Sequence, residues 1–364
     1  MARIVIDARE SGTTTGRYID KLTEYLHRLQ PKHEIIIITK HPRLDFFNKT
    51  APDFQTVESN YKEFSFAEQL GLLRQLRRLK ADLVHFNAPQ QPVLYRGKTV
   101  TTIHDLTTTR FNNPSKNWLV FKFRQLVYRR VVKTVAKKSK LVIAPSKFVK
   151  NDLEQFAHIP GPKIVVTYEA ADVIKNKPEP TPSLDGKNFI MYTGRPLPHK
   201  NLRRLIDAFA ILQTERPELR LVLVGKTDRL YEAHQKYVNK RGIKNVLFSG
   251  FVSEGRLRWL YENTSAYVFP SLSEGFGLPG LEAMAHGAPV VSSNATCLPE
   301  IYGDAAAYFD PLVIADMATR IKQVLDDENL RKALVQKGFV RVKKYSWAKM
   351  AEQTLGVYNQ ALKS

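Results

Sequence analysis

Residues 189–224 read FIMYTGRPLPHKNLRRLIDAFAILQTERPELRLVLV. The segment opens on an apolar run, 189–192, and passes through a polar loop that holds Gly194, Pro196 and Pro198. A helical stretch, 202–212, leads to a second apolar run at 221–224. Short apolar strands joined by helices build parallel sheets covered on both faces. The alternation continues outward in both directions. Downstream, strand-like runs fall at 246–249, 267–269 and 290–292. Upstream they fall at 4–6, 35–39, 83–86, 100–103, 141–143 and 164–167, separated by helical stretches such as 18–29 and 64–79. A proline-rich segment, 175–187, interrupts the pattern and reads as a linker. The sequence therefore predicts an α/β protein of two open parallel-sheet domains facing across a cleft, with no tandem repeat.

The 364 residues suffice for two such domains. A hydrophobic share of 43% is ample for buried cores and excludes a disordered protein. One cysteine, Cys297, excludes an intramolecular disulfide framework and a cysteine-rich metal site, and fits a reducing compartment. Charges interrupt every apolar run near Met1, so no secretory signal is expected. The purest apolar stretch, 35–38, is far too short to span a bilayer. These features predict a cytoplasmic protein. The formal charge of +21 points to an anionic partner: nucleic acid, anionic lipid or a phosphorylated substrate. That charge is concentrated. Residues 71–150 hold 18 lysines and arginines against Asp82 and Asp105, a net of +16, which leaves +5 for the rest.

Ligands of such domains bind beyond the carboxyl ends of the strands, so the loops there carry the candidate chemistry. Ser11–Arg17, rich in small hydroxyl residues and ending at Gly16, lets backbone N–H groups approach an anion at a helix start. An ordinary strand–helix turn is the alternative. His104 and Asp105 stand where a strand emerges and can bind or protonate a substrate, although a lone histidine also serves structure. Arg195 and Lys200 flank a proline-stiffened loop; a planar fork of donors and a point charge suit a diphosphate. The most informative segment, 273–284, reads SEGFGLPGLEAM. Gly275 and Gly277 allow close backbone approach, a helix starts near Pro279, and Glu274 and Glu282 can grip different hydroxyl groups of one ligand.

On these residues the sequence resembles the retaining glycosyltransferases of family four, which have the GT-B fold of two Rossmann-like domains. The Glu-x7-Glu motif matches as Glu274 and Glu282, the Gly-Arg…Lys-Asn loop as Gly194, Arg195, Lys200 and Asn201. The turn Gly16-Arg17-Tyr18 and the pair His104-Asp105 match in type and order. Residues 271–311 look especially like bacterial mannosyltransferases and related sugar transferases. The resemblance implies an acceptor-side domain at 1–180, a nucleotide-sugar domain at 181–345 and a final helix, 346–364, crossing back to the first. It also implies roles. Arg195 and Lys200 would neutralise the donor diphosphate, with help from the Gly16 backbone. Glu282 would take the ribose hydroxyls. Glu274 and the backbone near Phe276, Gly277 and Leu278 would hold the transferred sugar, which His104 would touch. Val252 and Gly225 would lie near the base. Two departures stand out: Thr13-Thr14-Thr15 replaces a more glycine-rich turn, and Tyr168-Glu169-Ala170-Ala171-Asp172 lacks the glycine common there.

The resemblance implies a hexosyltransferase that displaces a nucleoside diphosphate with retained configuration. Its donor is expected to be GDP-mannose, with a UDP- or dTDP-sugar as alternative. No Asp-x-Asp occurs and no His/Cys cluster has metal spacing, so the transfer is expected to need no metal or other cofactor. The basic stretch gives a place of work. Over residues 115–140, Lys122, Arg129, Arg130, Lys133, Lys137 and Lys140 fall on one helical arc, and Val120, Phe123, Val127, Val131 and Val135 on another. Arg74, Arg77, Arg78 and Lys80 add a second patch. A basic amphipathic helix suits an anionic membrane and a glycan or lipid-linked acceptor. A non-enzymatic nucleic-acid or membrane-binding protein is the competing reading, although no zinc-finger or RRM signature is present.

Overall fold

The computed structural model describes every residue except 14, 15, 64 and 112–117, together with the backbone alone of Leu119 and Val120. The chain divides into two compact units. The first comprises Met1–Thr109, Lys122–Glu169 and Ser346–Ser364; the second comprises Arg110–Phe121 and Ala170–Tyr345.

The first unit is built on a seven-stranded sheet, ordered β3-β2-β1-β4-β5-β6-β7. Its strands are β1 (Arg3–Asp7), β2 (Glu34–Thr39), β3 (Gln55–Glu58), β4 (Leu83–Phe86), β5 (Thr99–Thr102), β6 (Leu141–Ala144) and β7 (Ile164–Val166). Every pairing is parallel. Central strands are buried throughout, which explains why they read as unbroken apolar runs. The edge strand β3, sequence QTVE, is only half-buried and carries no such run, so sequence reading passes over it. The last helix, Trp347–Lys363, packs on the helix Gly16–Arg28 and on β4, β5 and β6, burying Trp347, Met350, Val357 and Tyr358.

The second unit repeats the architecture with six strands, ordered β10-β9-β8-β11-β12-β13. These are β8 (Phe189–Thr193), β9 (Arg220–Val224), β10 (Val246–Gly250), β11 (Ala266–Phe269), β12 (Val290–Ser293) and β13 (Ala306–Phe309), again all parallel. The Ala-rich edge strand β13 also escapes the sequence pattern. In each sheet the order reverses once, at β1/β4 and at β8/β11. Chains leaving two such neighbours run to opposite sides, which opens a crevice beyond their carboxyl ends.

Candidate active site

In the second unit the loops after β8 and β11 meet at the switch point. The 3-10 turn Pro198–Lys200 ends at Asn201, whose backbone takes φ +59° and opens the helix Leu202–Glu215. The buried Asn201 amide donates to the carbonyls of Pro270 (3.0 Å) and Pro311 (2.8 Å). One side chain thus ties the ends of β8, β11 and β13 together. The tie fixes Lys200, whose Nζ lies 2.7 Å from Glu274 Oε1, the two side chains 19% and 11% exposed. The ammonium also sits 5.7 Å from the centroid of the Phe269 ring. Glu274 is held from the other side: its amide donates to Thr296 Oγ1 (3.1 Å), and its carbonyl accepts from the buried Cys297 thiol (3.3 Å).

The segment after Glu274 must turn sharply to start the helix Leu278–Ala285. Gly277 makes that turn at φ +93°, and a Cβ there would meet Tyr302 Oη at 2.6 Å. The Tyr302 hydroxyl donates to the Gly277 carbonyl (2.6 Å), so the bend is fastened from beneath. Phe276 is buried edge-on against Tyr345. Leu278 stands half-buried at the helix start, and Glu282 lies one turn in, also half-buried.

Arg195 pairs elsewhere. Its Nε lies 3.1 Å from Asp228 Oδ2 and the side chain is 60% exposed. Asp228 caps the helix Arg229–Arg241, accepting from the amides of Leu230 and Tyr231. Burial works against its charge, but those amides and Arg195 hold its pKa below the ordinary value. Gly194 and Gly225 let the loops after β8 and β9 touch: a Cβ on Gly225 would lie 2.6 Å from the Gly194 carbonyl. Val252, half-buried, follows β10 just ahead of the helix cap Ser253.

In the first unit, Gly16 begins the helix Gly16–Arg28, and its amide donates to Thr13, to the carbonyl (3.0 Å) and to Oγ1 (3.2 Å). The expected anion donor is therefore used inside its own turn; Thr14 and Thr15 lie outside the described residues. His104 follows β5. Its Nδ1 lies 3.2 Å from Glu169 Oε1, its ring meets Tyr18 edge-on at 4.8 Å, and its buried Nε2 has no hydrogen-bond partner among the described residues. Burial opposes the charged ring, but Glu169, with Asp105 and the backbone at Asn87, outweighs it and raises the pKa. Asp105 itself receives the Thr107 amide.

The basic helix spans Trp118–Lys138; residues 115–117 and the Val120 side chain lie outside the described residues. Its predicted apolar arc is packed only in its second half, where Val135 is buried and Val131 half-buried. The face toward the core carries Gln125, Tyr128, Val132, Val135 and Ala136. Phe123 and Val127, with Leu126, are instead exposed, at 68%, 43% and 54%. The first half of this helix is apolar nearly all round, so periodicity could not choose between two stripes; packing with β6 did. The predicted cationic arc also divides. Arg129 and Lys133 lean over the Phe156 ring, at 5.4 and 5.1 Å, although Arg129 stays exposed, as Lys122, Arg130 and Lys137 are. Arg74, Arg77 and Arg78 are exposed on the helix Leu73–Leu79, near exposed Phe66 and Leu70. Phe86, Thr101 and Val142 stand in register on β4, β5 and β6, so they share a sheet face. Phe86 packs with Leu72 and Leu76 and Val142 with Val132 and Ala136, so both basic helices cover that face.

Asp228, Thr296 and Glu169 are positioning residues that motif reading did not assign, and Asn201, matched there only as part of a motif, is the fourth. Asp228, directly before a helical run, carries a legible cap signal; the others act over long separations. Among the described residues, no group of three or more His, Cys, Asp or Glu could hold a metal ion, and no helix is long and apolar enough to cross a membrane.

Comparison with known proteins gives this geometry a family. Residues 15–174 match Glycosyltransferase Family 4 and residues 173–341 match Glycosyl transferases group 1. The O-antigen chain mannosyltransferase B of Escherichia coli is 31% identical over 274 residues, which cover 72% of this chain and 70% of that protein. The O-antigen chain mannosyltransferase RfbU of Salmonella typhimurium is 30% identical over 220 residues, covering 60% and 58%. Anabaena HepE, solved with UDP, shares the fold at a TM-score of 0.76 and 17% identity, covering 99% of this chain and 100% of its own. The chain belongs to the GT-B glycosyltransferases of family four.

Proposed function

We propose that the protein is a retaining, metal-independent mannosyltransferase. It moves mannose from GDP-mannose to a glycan or lipid-linked acceptor at an anionic membrane surface, with no further cofactor. The observation that carries this reading is the Lys200–Glu274 pair at the β8/β11 switch point. The mannosyltransferase names of relatives about 30% identical support the choice of sugar.

As the bond from the anomeric carbon to the diphosphate breaks, negative charge grows on the leaving oxygen. Lys200 stabilises that charge where it develops, which lowers the barrier rather than merely binding the donor. Arg195 adds a second cation once it leaves Asp228. Glu274, with the backbone around Phe276, Gly277 and Leu278, takes the hydroxyls of the sugar; His104 contacts the sugar or its phosphate; Glu282 takes those of the ribose. Val252 and Gly225 border the base. With one oxygen held by Lys200, Glu274 is assigned the orienting role in this reading. The acceptor hydroxyl then approaches from the side the diphosphate leaves, and its proton passes to the departing phosphate oxygen. That path retains configuration.

The exposed stripe Phe123, Leu126 and Val127, with Arg130 and Lys137 beyond it and Arg74, Arg77 and Arg78 on the same sheet face, supports docking on anionic lipid. Incubating the protein with GDP-mannose, UDP-sugars and dTDP-sugars, in the presence of a lipid-linked acceptor and with or without EDTA, tests the proposal. Transfer from GDP-mannose that survives EDTA is expected. Transfer from a UDP- or dTDP-sugar alone would replace the donor, and loss in EDTA would overturn metal independence.

A further inference from the structure

Glu169 stands just past β7, and His104 just past β5, so the carboxylate reaches over β6 to the imidazole. The contact, Nδ1 to Oε1 at 3.2 Å, is largely shielded: Glu169 is 5% exposed. On its edge the ring is pressed by Tyr18. Behind it runs a buried chain: the Tyr18 hydroxyl lies 3.2 Å from Thr102 Oγ1, which lies 2.8 Å from His85 Nε2, whose Nδ1 lies 2.6 Å from Tyr358 Oη. His104 is thus fixed on several sides, while its buried Nε2 has no hydrogen-bond partner among the described residues. A buried polar atom left unpaired is costly, which makes it a place for a ligand atom.

The neighbours decide which kind of atom. The charged or titratable groups around the ring are Glu169 from the segment after β7, Asp105 from its own loop, Tyr18 from the helix after β1 and His85 from β4. Glu169 and Asp105 bring negative charge, and the backbone at Asn87 also favours the charged ring. His85 is kept neutral by burial, foremost, and by His104 itself. This is a setting for a ring protonated on both nitrogens.

We propose that Glu169 is a positioning residue that holds His104 as an imidazolium and offers its Nε2–H to a phosphate oxygen of the bound substrate. The assignment rests on the transferase reading for the substrate's chemistry, but the state of the ring does not depend on it. The phosphate belongs either to the nucleoside diphosphate or to a lipid diphosphate acceptor.

The ring is read directly by NMR titration of the His104 imidazole in the free protein, assigned with His104→Asn. In Glu169→Gln, which keeps shape but not charge, its midpoint should fall by about one pH unit or more. Glu169→Asp should recover part of that shift. In the wild type, kcat/KM should fall as pH rises through the titration, and this limb should move down with the midpoint in Glu169→Gln. Affinities for GDP and UDP and the KM of the acceptor, measured in the same variants, distinguish the two phosphates by which one weakens. An unchanged midpoint in a folded Glu169→Gln protein would overturn the proposal. So would a rate that rises through the titration, since a neutral ring would then be the working form.

Discussion

Lys200 and Glu274 are 74 residues apart in the chain, yet their charged atoms lie 2.7 Å apart. The pair is mostly shielded from water, so each partner fixes the other's direction. Replacing Lys200 by Ala removes the cation that, in the proposed reaction, meets the leaving group, and frees Glu274 of that partner. One preorganised donor is worth roughly 3–4 kcal/mol in such a site, so kcat should fall by about two to three orders of magnitude. Glu274→Ala should also abolish transfer. Circular dichroism and donor–acceptor assays on both variants check this; a folded variant with wild-type turnover would remove the pair from the mechanism.

His85 makes stability fall in acid. Burial, and then the charge of His104, lowers its pKa from the ordinary 6.5 to about 3. The depressed value means that the unfolded chain binds the proton first. The stabilising contribution is therefore complete above pH 6.5 and is lost as pH falls from there toward 3. It amounts to a few kcal/mol, on the order of 4, across that window. Urea midpoints between pH 7.5 and 4 should show a shallower slope in His85→Asn than in the wild type; parallel curves would count against this assignment.

Arg9 is 3% exposed and binds two carboxylates, Asp7 at 2.7 Å and Glu68 at 2.9 Å. Glu68 begins the π-helical turn Glu68–Leu72, so the ion pairs fasten that turn to the end of β1. Arg9→Met leaves both carboxylates buried and should cost about 3–5 kcal/mol. Adding Glu68→Leu should recover part of the loss, because one stranded charge is then gone. Equilibrium unfolding of the two variants gives the answer, and equal losses would mean that Glu68 is not held by Arg9.

On vesicles containing anionic lipid, Phe123→Ser/Leu126→Ser should weaken binding even in high salt, since burial of apolar surface is not screened. Arg130→Gln/Lys137→Gln should weaken it mainly at low salt, by about 1 kcal/mol per cation. Cosedimentation across a salt series separates the effects. Binding that ignores both pairs of changes would place the membrane contact elsewhere.

What was legible in the sequence follows from range and composition. Buried central strands such as 83–86 announce themselves as apolar runs, and Gly277 and Pro279 mark a loop by their own backbone constraints. The edge strands β3 and β13 lack a buried row and pass unnoticed. Glu274 could be picked by spacing and Asp228 as a helix cap, but the Asp228 contact with Arg195, and Thr296 and Glu169 altogether, matter through partners 33, 22 and 65 residues away. The stripe of the basic helix that packs was decided by β6, not by the helix.

The helix Trp347–Lys363 belongs to the first unit although the whole of the second precedes it. The main segment of the second unit, Ala170–Tyr345, is therefore, in topological terms, an insertion, and its other piece, Arg110–Phe121, has already been made when that segment emerges. During synthesis the second unit can condense once Tyr345 is made, whereas the first must wait with the side of β4, β5 and β6 that receives Tyr358 uncovered. Vectorial folding should thus deliver the unit that holds Lys200 and Glu274 first. The unit that holds His104 would be completed last, sealed when the Tyr358 hydroxyl reaches His85.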